Sequence, residues 1–324
     1  MNAKNQKFLM KMRKPADIVL KKCLGLKKDE KVLIVSDSKL YGVAKIFFEQ
    51  AKKIAKDVKL IKIPIPEVNG TEPSKETAKE MLKYDVELLI TTKSLSHTKA
   101  RKNACKNGAK IVTMPGITEE VINRALDINY KKLAERNRKL MKILTKAETA
   151  KITTEKGTDL LMNIKGRKCF DDNGVYNKKG SFGNLPAGEV AVAPVEGTTK
   201  GIYVVDASFG GIGRLNKPLK IKVKNGYATE IKGEKAREIE KHLKNKKYRN
   251  IAEFGIGTNP KARVSGCVLE DEKAVGTVHI ALGNNVSLGG KVNVPLHLDG
   301  VIKNPSVWID EKKIMDNGKL IFKS

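Results

Sequence analysis

Through the first half of the chain, short continuous apolar runs alternate with stretches whose apolar positions recur every three or four residues. Lys31 to Asp37 (KVLIVSD) is such a run ending in polar residues, the pattern of a strand buried in a parallel sheet. Val43, Ile46, Phe47, Ala51 and Ile54 then share one helical face, and Val58 to Pro66 (VKLIKIPIP) reads as a strand closed by prolines. The cycle repeats with a helix from about Ser74 to Tyr84 and a strand from Glu87 to Thr92. A helix from about His97 to Asn107 follows, stopped by Gly108, where glycine can take the left-handed cap. Ala109 to Gly116 is another short apolar strand. Repeated β-α-β units predict a parallel sheet with helices on both faces. A long amphipathic helix, with Tyr130, Leu133, Leu140, Ile143 and Leu144 on one side, runs to about Glu148.

Beyond that helix the texture becomes β-rich. AKITTEKGTDLLMNI reads as strand, turn, strand. In LKIKVKNGYATEIKG, Leu219, Ile221 and Val223 alternate with lysines, and Asn225-Gly226 supplies a positive-φ turn, so a hairpin is predicted. A helix is expected from Glu234 to Lys244, and the closing VWIDEKKIMDNGKLIF reads as further short strands. The fold class expected is therefore an α/β N-terminal domain, residues 1–147, followed by a β-rich α+β domain, residues 148–324. The length agrees, since 324 residues exceed the usual size of a single core.

Composition narrows the function classes. Hydrophobic residues at 40% and charged residues at 31% describe a globular chain, and no apolar run is long enough to span a bilayer. The basic N-terminus (MNAKNQKFLMKMRKPAD) has no apolar core before a cleavage site, so a cytoplasmic location without membrane association is expected. Four scattered cysteines suggest neither a zinc ribbon nor a disulfide framework. The 64 Lys and Arg against 36 Asp and Glu leave a net charge of +28, which attracts nucleic acid electrostatically. The lysines are spread through every segment, however, and aromatics make up only 5% of the chain. Specific nucleic-acid recognition is not expected. The turn after the first strand, SDSKLYG, carries no dinucleotide or P-loop fingerprint.

The chemistry concentrates in the second half. Of four histidines, His279 lies in GTVHIALG and His297 in PLHLDG, two residues before Asp299. Residues i and i+2 of a strand share a face, so His297 and Asp299 can reach one metal ion. Glu189, in GNLPAGEVAVAP, and Glu253, in NIAEFGIGTNP, stand in apolar settings where a carboxylate needs a partner cation. A metal answers that need for all five residues. Mixed imidazole and carboxylate donors suit Zn²⁺, Mn²⁺, Co²⁺ or Fe²⁺ better than Ca²⁺ or Mg²⁺. Plain alternatives exist: either histidine as a hydrogen-bonded core residue, Glu253 paired with Arg263, and Glu189 paired with a nearby lysine.

The runs GSFGNLPAGEVAVAP, AEFGIGTNP, GTVHIALGNN and HLDG, with SLSHTKARKNACKNGAKIVTMPGIT before them, resemble the aminopeptidase T-like metallopeptidases over most of the chain. The resemblance implies a homodimer with two divalent metals per chain, held by Glu189, Glu253, His279, His297 and Asp299. It also implies release of N-terminal residues from peptide substrates by a metal-activated water. Glu196 is a candidate base, Asp172 and Asn184 are candidates for supporting groups, His97 for a structural or cleft-rim role, and His242 for a solvated one. One position departs from the family pattern: where those peptidases carry a tyrosine seven residues after the histidine, this chain has Val286, which cannot donate to an oxyanion. Related dihydroxypyridine ring-cleaving dioxygenases use a single Fe²⁺ on a glutamate, a histidine and an aspartate. Here these would be Glu253, His297 and Asp299, and that chemistry needs no tyrosine.

Overall fold

A computed structural model of the chain describes residues 11–322. Residues 1–10, on which part of the reading of the N-terminus rests, lie outside them. Two compact units interleave along the chain: Met1–Tyr130 with Gly174–Ala187, and Lys131–Asn173 with Gly188–Ser324. No single cut, at residue 147 or elsewhere, separates them. The fold class is as expected, a parallel α/β sheet followed by a large antiparallel β-rich part.

The first unit is built on a five-stranded parallel sheet in the order Asp57–Ile63, Lys31–Asp37, Val86–Ile90, Lys110–Thr113, Phe182–Asn184. Four of these strands are the apolar runs read from the sequence. The fifth, Phe182–Asn184, arrives from far downstream, and its three residues carry no periodicity that could announce it. Between strands, Lys75–Met81 and Lys99–Lys106 are helices whose first turns are closed by Ser74 and Thr98, each hydroxyl accepting a backbone N–H. Such caps contribute about 1 kcal/mol each. Leu33, Val35, Leu89 and Ile111 pack with Met81, Ala100 and Ala104 into one core.

Into that sheet the chain inserts Glu87, fully buried and with neither carboxyl oxygen hydrogen-bonded. Burial alone pushes its pKa well above the usual carboxylate value. A carboxyl with a raised folded-state pKa holds its proton in the fold and loses it in the unfolded chain. Stability is therefore full below the unfolded pKa and falls as pH rises toward the folded one. The Glu87→Gln variant should melt above wild type by a margin that widens as pH rises from acid to neutral. A constant margin across thermal scans at pH 4 to 8 would contradict this.

The second unit holds two antiparallel sheets of eight and seven strands. Ile152, Leu160, Tyr203 and Ile221 from the first, and Val192, Phe254, Ile280 and Leu282 from the second, share one hydrophobic core. The predicted hairpin is present: Leu219–Lys224 pairs with Tyr227–Gly233 across Asn225 (φ +50°) and Gly226 (φ +77°). Among the described residues, no helix is long and apolar enough to cross a membrane.

Candidate metal centre

Four adjacent strands of the seven-stranded sheet set the site: Glu189–Val192, Ile251–Gly257, Thr277–Gly283 and His297–Lys303. Strand alternation sorts their side chains into two sets. Val190, Val192, Phe254, Ile256, Val278, Ile280, Leu282 and Ile302 belong to the core. The opposite set holds Glu189, Glu253, His279, His297 and Asp299. The register places Glu189 opposite Gly257, Gly255 opposite His279, Ala281 opposite Asp299, and Gly283 opposite His297. Small residues alternate with chemical ones on this face. At Gly255 the reason is direct: a Cβ there would collide with the His279 imidazole.

The five residues expected from the sequence therefore come together, in two overlapping groups. Ligand atoms of Glu189, Glu253 and His279 lie within 4.8 Å of one another, as do those of Glu253, His297 and Asp299. Glu253 belongs to both. One of its oxygens is 3.2 Å from His279 Nε2 and the other 3.0 Å from His297 Nε2, while Asp299 Oδ1 is 3.3 Å from His297 Nε2. Burial pushes the Glu253 carboxyl up, but hydrogen bonds from both imidazoles outweigh it and hold it well below the usual range. Burial opposes a charge on His279, yet Glu253 and Glu189 raise it to about 9. Both groups thus carry the negative charge that a divalent ion needs, and each imidazole gives up a proton to the solvent when it ligates one.

The two groups differ in preparation. His297 Nδ1 is 2.8 Å from the Asn284 carbonyl, a contact that fixes the ring and points Nε2 at the two carboxylates. The His297 and Asp299 side chains remain 30% and 18% exposed, so this group is reached by solvent. His279 is buried, and its Nδ1 has no hydrogen-bond partner among the described residues.

Glu189 meets a second cation, a lysine that the sequence reading allowed for but did not identify. Lys273, almost fully buried, places its Nζ 2.6 Å from Glu189, 2.9 Å from Glu272 and 3.4 Å from Asp172. The lysine partner foreseen as the plain alternative for Glu189 therefore exists. Arg263, the alternative for Glu253, is not bound to it; its backbone N–H donates to Glu270. Burial raises the pKa of Glu189, with Lys273 pulling the other way. Burial likewise pushes the Glu272 carboxyl up to about 8 against the pull of Lys273.

Glu196 is a tie rather than a base. Its carboxylate is bound by the Arg167 guanidinium, by Asn285 Nδ2 at 2.9 Å and by the Lys291 N–H at 2.8 Å. These bonds overcome burial and hold its pKa at about 2. Asn184 accepts from Thr113 and Ser96 at the end of the parallel sheet, while His242 is exposed at the end of its helix. Val286 lies half exposed in a short turn.

The family described as "NicX: 2,5-dihydroxypyridine 5,6-dioxygenase" matches residues 11–322. A 2,5-dihydroxypyridine 5,6-dioxygenase from Pseudomonas putida (strain KT2440) is 22% identical over 259 residues, covering 72% of this chain and 71% of that protein. The solved structure of 2,5-dihydroxypyridine dioxygenase from Pseudomonas putida KT2440 has a TM-score of 0.81 at 18% identity, covering 97% of both chains. Wild-type AmpT from Thermus thermophilus has a TM-score of 0.74 at 17% identity, over 97% of this chain and all of that one. The likeness to both structures is one of fold, and so the aminopeptidase T-like resemblance is met at that level.

Proposed function

The chain belongs to the 2,5-dihydroxypyridine 5,6-dioxygenase family, and from that premise we propose that it is a mononuclear non-haem Fe(II) enzyme opening a dihydroxylated pyridine-type ring with O₂. The observation that supports it most is the Glu253, His297 and Asp299 group, with His297 aimed by the Asn284 carbonyl and the group partly open to solvent. One imidazole and two carboxylates with free positions suit Fe(II). When bound, iron would supply the redox-active point at which O₂ and a ring hydroxyl meet. The chain's own contribution is to hold and orient. His297 and Asp299 come from one strand face, Glu253 from the neighbouring strand but one, and the core beneath keeps all three in register. The Lys273 cluster beside Glu189 keeps fixed charge next to this group.

The second reading, a two-metal aminopeptidase, is favoured by the Glu189, Glu253 and His279 group, which is compact enough for another ion. Against it stand the unpartnered His279 Nδ1, the engagement of Glu189 by Lys273, and Val286 in place of a hydroxyl donor. The deciding experiment loads the protein anaerobically with Fe²⁺, Zn²⁺, Mn²⁺ or Co²⁺. It then compares oxygen uptake on 2,5-dihydroxypyridine with release of residues from free and N-acetylated peptides. We expect about one iron per chain and Fe²⁺-dependent oxygen consumption. Two metals per chain with turnover of free peptides only would establish the peptidase instead. We further propose that the protein is a cytoplasmic homodimer, a state that sedimentation measures.

A further inference from the structure

The second unit contains a cavity of about 650 Å³ that none of the candidate metal ligands lines. Its size falls in the range of small-molecule sites. Three cationic side chains reach it, Arg136, Lys303 and Lys319, and no acidic side chain lines it. Among the described residues, none of the three has a carboxylate within ion-pair distance. Arg136 is the informative one. It projects from the helix Tyr130–Thr145 and is half-buried, and its Nη1 donates at 2.6 Å to the Thr258 carbonyl. That bond holds one end of the guanidinium, and among the described residues it is the hydrogen bond that Arg136 makes. A half-buried, pre-aimed guanidinium without an anionic partner is unusual, because desolvating it costs free energy that a carboxylate normally offsets. The remaining wall is mixed: Asn304, Asn317 and Thr277 line it beside an apolar part in which Val264 and Val275 are 37% and 40% exposed and Phe322 is half-buried.

We infer that this cavity is a binding site for a small organic anion, one carboxylate or phosphate group joined to an apolar or aromatic body. The anionic end meets the Arg136 fork, with Lys303 and Lys319 supplying further positive charge, and the body covers Val264, Val275 and Phe322. Planar, bidentate pairing is what distinguishes arginine from lysine in such a role. The site stands independently of the reaction proposed for the metal centre.

The test is calorimetric titration of the metal-loaded protein with benzoate, with benzyl alcohol as the uncharged analogue and inorganic phosphate as the bare anion. Benzoate is expected to bind with a Kd on the order of 0.1–1 mM, and each control at least about tenfold more weakly. Arg136→Gln and Lys303→Glu should each weaken benzoate by about tenfold or more, the second serving should the first disturb the Thr258 contact. His297→Ala should leave benzoate affinity within about twofold. Three results would overturn the proposal: no binding by wild type up to about 10 mM, affinity unchanged in both cavity variants, or loss of binding in His297→Ala, which would move the benzoate to the metal centre.

Discussion

Changing His297 or Asp299 to alanine should strip the protein of its metal while leaving it folded. Both side chains sit at the open end of the site, so their removal leaves no sealed cavity in the core. The cost in stability should stay within about 1 kcal/mol. Metal affinity should fall by at least about 100-fold, since even outer contacts to a metal ligand are worth about 10- to 100-fold. The check is metal content by mass spectrometry after gel filtration, beside a chemical melt. Oxygen uptake, where wild type shows it, should vanish in step with the iron. Full metal content in both variants would remove Glu253, His297 and Asp299 as the binding group.

The largest effect on stability is expected from Lys273. Its ammonium is almost completely buried among Glu189, Glu272 and Asp172. Replacing it with methionine keeps the aliphatic stem but removes the cation that three buried carboxyl groups share. Breaking a buried ion pair from one side costs about 3–5 kcal/mol. Urea unfolding of Lys273→Met should show a loss of that order. Part of it should be recovered when Glu189 is changed to Gln in the same chain, because the unpaired charge then disappears. A loss below about 1 kcal/mol would mean that the cluster relaxes or admits water more freely than its burial suggests.

That lysine also marks where the sequence stopped being readable. The same-face logic of His297 and Asp299, and the awkwardness of Glu189 and Glu253 in apolar strands, follow from strand periodicity, which local sequence carries well. The segment Glu270-Asp271-Glu272-Lys273 carries the opposite message. Four consecutive charged residues look like a solvated turn, yet all four are buried. Glu270 and Asp271 accept from nearby backbone N–H groups of Arg263, Ser265 and Gly266. Lys273 meets Asp172 and Glu189 on strands far away in the chain, and its residue type alone does not single it out in a sequence so rich in lysine. The clue available was position: this charged run leads directly into the apolar strand bearing His279. The partners of Glu196 were out of reach for the complementary reason: only the folded chain brings Arg167, Asn285 and Lys291 to it. The strand Phe182–Asn184 was invisible because pairing with Lys110–Thr113 is a long-range event that three residues cannot encode locally.

The alternation of Gly255, Gly257, Ala281 and Gly283 with the chemical side chains has a consequence for how such a protein can change. The imidazole of His279 rests on Gly255, a position that admits no side chain at all. Substitutions there do not tune the chemistry by degrees; they displace a ring. New substrate preferences must therefore arise from the borders of the site, where a residue can grow or shrink without moving a ligand. Laboratory selection for altered substrates should accumulate changes around the rim and leave position 255 as glycine in every active survivor.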